Sequence, residues 1–249
     1  MTTWARHLYE HDPLAIAKGE SNGYSFIHKF GANFDVDNNS EPETVWTGGG
    51  LYPWSALSVA KTLYVLSDDS NEEGTVEVQG LDENYNVVTE TVTLNGSTAV
   101  TTSNTFLRVY RMTYTDAGGG NVGVITARVD SPSGTVVAQI DVGLSQTLMC
   151  VYTVPAGYTA YMMAGDFSVQ KNKDAQVLMM QRPFNTNNFR IAHMAEVYER
   201  AYRYDFPIPL PLPEKTDFEV RVDNVETNNT RVTSNFTMVL VKNTIQGEP

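Results

Sequence analysis

The chain has 249 residues, of which 41% are hydrophobic and 18% are charged, and its formal net charge is -12. This composition supplies enough apolar side chains for a packed core, whereas the negative charge and the scattered Lys and Arg residues argue against direct binding to nucleic acid. The longest apolar stretches are far shorter than the roughly 20 residues of a membrane helix, so no membrane span is predicted.

The first twenty residues, 1–20, predict an extended N-terminal arm. Trp4, Leu8 and Tyr9 are apolar residues among polar and charged neighbours, in a segment too short for an independent helix. We therefore predict that these three side chains bind a partner. The segment lacks the apolar centre of a secretion signal, so we expect assembly in the cytoplasm.

The rest of the chain alternates short runs of β-branched and aromatic residues with turn signals about every 8 to 12 residues, which is typical of an antiparallel β protein. In the clearest hairpin, Val76 and Val78 alternate with Glu77 and Gln79. Turn residues predict four hairpins in all: 75–81 with 87–94, 122–129 with 135–142, 146–154 with 158–167, and 217–222 with 231–241.

One stretch, residues 191–203, fits neither the helical nor the strand period well. We favour a strand because Tyr198 and Tyr202 suit a pleated surface. Alternating prolines follow it and remove half of the amide donors that a sheet interior needs. This segment, 207–213, is the Pro-rich strap, and it must lie at a sheet edge or across a surface. We predict that it binds a partner through Pro207, Ile208, Pro209, Leu210 and Pro211.

These patterns predict an all-β fold, an antiparallel β-sandwich or jelly roll, built as one domain or as two packed sandwiches. The predicted division places the N-terminal arm at 1–20, a β-sandwich at 21–142 and a second β-rich half at 143–249, which also fits as part of the same domain. Both the length and the strand spacing allow either arrangement.

The sequence contains no recognisable catalytic centre. It has no Gly-x-Ser-x-Gly elbow, and its glycine triplets lack the residues of a phosphate-binding loop. Two carboxylates in a cleft would suffice for glycosidase chemistry, an alternative that stays open. Cys150, the single cysteine, has apolar neighbours that predict a buried structural thiol. We predict no catalytic residue and no cofactor.

Metal binding is also not favoured by the sequence. His7 and His11 have the i, i+4 spacing of helical zinc ligands but lack a third ligand, while His28 and His193 are predicted to be ordinary strand residues. Two acidic segments, 35–41 and 68–73, offer oxygen atoms that could approach calcium. The first lacks the glycine of the EF-hand loop and its terminal Glu comes too early, and the second receives the same interpretation, so we predict solvated loops and no metal site.

Three segments resemble structural proteins of tailed bacteriophages, especially decoration (cement) proteins of phages from marine and cyanobacterial hosts. They are 92–100 (VTLNGSTAV), 106–111 (FLRVYR) and 121–125 (NVGVI). The residues Gln146-Thr147-Leu148 leading to Val154-Pro155-Ala156-Gly157, and the later LPEKTD at 212–217, share this resemblance, which covers roughly residues 85 to 240. These motifs are turns and core strands, so the resemblance carries over no functional residue.

The resemblance implies a non-enzymatic virion protein, foremost a capsid decoration protein that binds the major capsid protein or other virion subunits. The first alternative is a neck, tail or receptor-binding protein, and the second is a carbohydrate-binding module. We expect a homotrimer in the virion, because the arm and the Pro-rich strap are poor candidates for the solvated surface of a monomer.

Overall fold

The computed structural model describes residues 12–38, 41–116, 118–198 and 200–245. Within these ranges almost all regular structure is β, and every strand pair is antiparallel, which confirms the predicted fold class. The strands are β1 (Tyr24–Val36), β2 (Glu43–Thr44), β3 (Tyr64–Ser67), β4 (Thr75–Leu81), β5 (Val87–Thr93), β6 (Val100–Thr101), β7 (Arg108–Thr115), β8 (Ile125–Arg128), β9 (Val136–Ile140), β10 (Val151–Thr153), β11 (Tyr158–Val169), β12 (Asp174–Arg182), β13 (Arg190–Tyr198), β14 (Ala201–Leu212), β15 (Asp217–Asn224) and β16 (Thr230–Lys242).

The helices are short: α1 (Pro13–Ala17) and two 3-10 helices at Trp54–Leu57 and Asn243–Ile245. Asp12 caps α1 because its side chain accepts a hydrogen bond from the Leu14 amide at 2.9 Å, and proline occupies the first helical position. Ile16 is buried, and α1 packs against β1. The second half of the predicted arm therefore packs on the fold, whereas Trp4, Leu8 and Tyr9 lie outside the described residues.

Two sheets form a jelly roll. Sheet A has the strand order β1-β16-β11-β14, and sheet B has the order β10-β15-β12-β13, with β2 also paired to β15. Because β2 and β10 pair with successive parts of β15, they act as two halves of one strand. Counted in this way, sheet A contains the first, eighth, third and sixth strands and sheet B the second, seventh, fourth and fifth. This order is that of an eight-stranded jelly roll with two Greek keys.

A second β-sandwich is inserted between the two halves of that strand. Its sheet C has the order β6-β3-β8-β9, and its sheet D has the order β5-β4-β7. The strand pairing crosses the boundary that we predicted at residue 142, because β1 pairs with β16 along nearly its whole length. Sheets therefore divide the chain into a jelly roll that uses both ends of the described chain and an insertion between β2 and β10.

Each sandwich has its own apolar core. Phe167, Phe218 and Phe236 fill the jelly roll between sheets A and B, and the rings of Phe218 and Phe236 meet edge to face at 4.9 Å. Met112 and Ile140 are among the buried side chains between sheets C and D. Burying a side chain of this size contributes about 1.5–3 kcal/mol to the stability of the fold.

Two of the predicted hairpins are confirmed, and two are wrong. β4 pairs with β5 and β8 pairs with β9, as their turns indicate. In contrast, β10 lies in sheet B and β11 in sheet A, while β15 lies in sheet B and β16 in sheet A. In both of these cases the chain reverses at the predicted turn but crosses to the opposite sheet, where its apolar face meets the other side of the core. Residues 191–203 form strands, as favoured.

Candidate interaction surfaces

The Pro-rich strap lies on β14, which is the edge strand of sheet A. β14 pairs with β11 at Leu210 and again at Asp205, so the four residues between them bulge away from the ladder. Ile208 stands at this bulge with 83% of its surface exposed. The prolines occur where the edge needs no amide donors, which agrees with the position expected from the sequence.

The strap is fixed to the molecule from beneath. Phe206 and Leu210 pack against the jelly-roll core, and Leu212 is fully buried. Pro207, Pro209 and Pro211 alternate with these side chains, and Pro207 and Pro211 are exposed. The bulge therefore presents Ile208 on a stiff backbone, which reduces the conformational entropy lost when a partner binds.

Stacked rings close the open side of the jelly roll, where the edge strands β13 and β14 meet. The His193 ring stacks on the Tyr204 ring at 4.0 Å, and the Tyr202 and Phe167 rings continue the stack at 6.0 and 6.4 Å from His193. Burial lowers the pKa of His193, which favours the neutral imidazole. His193 and His28 are both strand residues, as predicted.

A buried ionic cluster joins the insertion to the jelly roll. Asp217 on β15 accepts hydrogen bonds from Arg108 on β7 at 2.8 Å and from Arg182 on β12 at 3.0 Å, and the Thr153 hydroxyl donates to it at 2.6 Å. The Arg108 guanidinium also lies 5.5 Å from the Trp54 ring centroid. The cluster uses strands of both sandwiches, so it fixes their relative position.

A second buried carboxylate lies in sheet B, close to this junction. Glu219 accepts a hydrogen bond from Arg221 at 2.8 Å and one from Thr44 at 2.8 Å. Burial raises the pKa of Glu219 above its ordinary value. Thr44 lies on β2 and Arg221 on β15, so Glu219 fixes these two paired strands of sheet B to each other.

Lys29 is also buried. It lies on β1 and donates a hydrogen bond to the Tyr110 carbonyl, and burial, with a smaller contribution from Arg111, lowers its pKa to about 7. Cys150 is fully buried, as predicted, and burial raises the pKa of its thiol to about 12. Cys150 therefore remains a protonated thiol in the folded protein.

An acidic cleft of about 690 Å³ opens where β1 ends near the glycine-rich turn 48–50. Its lining includes Asp35, Asp37 and Glu41 from one predicted acidic segment. Asp37 accepts a hydrogen bond from the Asn229 amide at 3.2 Å. In the described residues no three His, Cys, Asp or Glu side chains are grouped closely enough to ligate a metal ion.

The other acidic segment is a structural turn. Glu72 is buried and accepts hydrogen bonds from the Val122 and Gly123 amides, each at 2.8 Å. Asp68 accepts one from the Val124 amide at 2.7 Å. These carboxylates hold the glycine-rich turn before β8 against the turn before β4.

A shallow groove of about 480 Å³ lies on sheet A. Phe30 and Phe34 from β1 form one wall, and Asp166 from β11 stands on the opposite side. Thr233 and Asn235 of β16 lie between them. The groove thus places two phenyl rings beside hydroxyl, amide and carboxylate groups.

The structure leaves the predicted arm residues untested, and it adds charged groups that the sequence reasoning missed. His7 and His11, like Trp4, Leu8 and Tyr9, lie outside the described residues. Arg108, Asp217 and Lys29 were not singled out, although Arg108 alternates with Phe106 and Tyr110 in the sequence. A charged residue on an apolar strand face is a usable signal for a buried ion pair.

In the part of the chain that the structure describes, no helix is long and apolar enough to cross a membrane. The chain matches no protein-family model and no curated protein. It is similar to the structure of the infectious bursal disease virus Gx strain, at 10% identity and a TM-score of 0.24, over 88% of this chain and 72% of that one. It is also similar to the VP2 subviral particle of that virus, at 9% identity and a TM-score of 0.22, over 89% and 73%.

Proposed function

We propose that this protein is a non-enzymatic structural component of a bacteriophage virion, namely a capsid decoration protein that binds and stabilises the shell. The observation that carries the proposal is the eight-stranded jelly roll, because virion subunits are among the main users of this topology. The same fold serves other functions, so the surface features of this chain must indicate which function it has.

Two features support an assembly role. The strap presents Ile208 and neighbouring prolines on a rigid sheet edge, which is the kind of preformed apolar anchor that interfaces use. The net charge of -12 disfavours contact with packaged DNA and leaves the outside of the shell as the preferred position. The partners we propose are the major capsid protein or other virion subunits, with the chain itself as a homotrimer.

The alternative within the virion is a neck, tail or receptor-binding position, and copy number distinguishes it from decoration. A decoration protein repeats with the capsid lattice, whereas a neck or tail protein occurs in the small multiples set by ring symmetry. A carbohydrate-binding module is the second alternative, and the groove on sheet A is the feature that favours it.

The test is to locate and count the protein in purified particles. Electron microscopy of particles labelled with an antibody to this chain should mark the whole shell, and quantified gel bands should give a ratio to the major capsid protein of one to a small integer. Labelling confined to one vertex or to the tail, with a few copies to a few dozen per particle, would contradict decoration. Absence from the particle would contradict the virion role altogether.

A further inference from the structure

The outer face of sheet A is aromatic on β1, polar on β16 and charged on β11 and β14. Phe30 on β1, Asn235 on β16, Asp166 on β11 and Arg203 on β14 are direct neighbours in register, so they form one row across the sheet. With strands about 4.8 Å apart, the row is roughly 14 Å long. An aromatic wall therefore faces a charged wall across a polar floor.

The adjacent row completes the floor. Ala32, Thr233, Ser168 and Ala201 are again neighbours in register, and the Ser168 and Thr233 hydroxyls are hydrogen-bonded at 2.9 Å. The small side chain of Ala201, which is exposed, leaves room above the sheet between the walls. Phe34, with 42% of its surface exposed, extends the aromatic wall beyond this row.

The polar side chains of the groove differ in whether they already have a hydrogen-bonding partner. Asp166 is paired with Arg203 at 3.0 Å, and Arg203 also pairs with Asp205, so two carboxylates share one guanidinium in the charged wall. The Asn235 side chain makes no hydrogen bond to any part of the chain that the structure describes, although it stands between the two walls. A free amide offers both a donor pair and an acceptor to a ligand in the groove.

The phenyl rings, the amide and the hydroxyls of the groove together favour one chemical class of ligand. An apolar protein segment would cover the Asn235 amide and the hydroxyls without replacing their hydrogen bonds to water, at a cost in free energy. A sugar ring has an apolar C–H face that suits the negative face of a phenyl ring and a rim of hydroxyls that suits an amide and a carboxylate. We propose that the groove on sheet A binds a neutral oligosaccharide, with Phe34 and Phe30 as stacking residues and Asn235 as the main hydrogen-bonding residue.

A neutral ligand follows from the charges. The Arg203 guanidinium is shared between Asp166 and Asp205, at 3.0 and 2.7 Å, so it is not free to pair with an acidic sugar. The formal net charge of -12 further repels polyanionic glycans. This inference goes beyond the proposed virion role and does not depend on it, because sugar binding and particle location can each fail alone.

The test uses three soluble neutral probes, maltohexaose, cellohexaose and chitohexaose, titrated into the whole chain by calorimetry at millimolar concentration. We expect at least one to bind. Phe34→Ala and Asn235→Ala should each weaken its binding by about tenfold or more, the usual effect of losing a stacking or hydrogen-bonding partner. Ser168→Ala removes a hydroxyl from the floor of the groove on a different strand, β11.

Phe184→Ala is the matched control, because Phe184 is 45% exposed like Phe34 but lies outside the groove. Its binding should equal that of the unchanged protein, and thermal melts should show that all variants fold. The proposal is overturned if none of the three hexasaccharides binds. It is equally overturned if the groove variants bind as tightly as the Phe184→Ala control.

Discussion

At the scale of single residues, Lys29 makes folding sensitive to pH. Its pKa is about 7 in the folded protein and 10.5 in the unfolded chain, so above pH 7 the unfolded state binds more protons. The contribution of Lys29 to the free energy of unfolding therefore increases from pH 7 toward pH 9. We expect Lys29→Met to remove this rise in urea titrations, whereas Lys171→Met, at an exposed site, should retain it.

Cys150 gives the opposite slope at higher pH. Its folded pKa of about 12 lies above the ordinary value of 9.0, so the thiol stabilises the folded state below pH 9 and this contribution is lost as the pH rises toward 12. Restricting the Lys29 comparison to the range between pH 7 and pH 9 keeps the two effects apart. An equal slope for Lys29→Met and the unchanged protein in that range would contradict the buried-lysine account.

Asp217 should be the most costly single charge to remove. Asp217→Asn leaves Arg108 and Arg182 without their shared carboxylate in a buried site, where losing one partner costs about 3–5 kcal/mol. Asp205→Asn, which breaks the exposed pair with Arg203, should leave the stability nearly unchanged. Chemical denaturation of both variants tests this, and equal losses would show that the cluster is not a structural joint.

At the scale of elements, the strap should drive self-association. We expect the isolated chain to be a trimer in light scattering at micromolar concentration, and Ile208→Asp to shift it toward the monomer because a carboxylate replaces the most exposed large apolar side chain of the described chain. Val59→Asp, at a site 60% exposed on the insertion, is the control. A monomer of 27.6 kDa for the unchanged protein would refute the prediction.

The predicted arm should separate into two functional parts. Deleting residues 1–11 removes Trp4, Leu8 and Tyr9, and should weaken attachment to the particle while leaving the melting temperature of the β core nearly unchanged. Deleting residues 1–20 also removes α1 with its buried Ile16, so the melting temperature should fall. Cosedimentation with particles and circular dichroism melts measure the two effects. Unchanged attachment after the shorter deletion would rule out the arm as an anchor.

At the scale of the whole molecule, the two sandwiches should unfold together. Leu81 and Tyr110 of the insertion belong to the apolar core of the jelly roll, and the Arg108–Asp217 pair crosses the same junction. We expect one calorimetric transition whose calorimetric and van't Hoff enthalpies agree. Two resolved transitions in the unchanged protein would mean that the junction is too weak to couple the sandwiches.

Local patterns in the sequence determined the strands, most turns and the position of the strap. Alternating apolar residues identified β4 and β5, and the prolines at 207, 209 and 211 required an edge position, because both signals depend on neighbouring residues alone. The burial of Cys150 followed in the same way from its apolar neighbours.

Only the tertiary structure decided which strands share a sheet and which side chains meet. A turn shows that the chain reverses, but whether the next strand pairs with the last one or crosses the core depends on which distant strand offers a partner, as β10 with β15 and β11 with β16 demonstrate. The groove has the same origin. Phe30, Asn235, Asp166 and Arg203 come from four separate segments, and only the register of sheet A places them side by side.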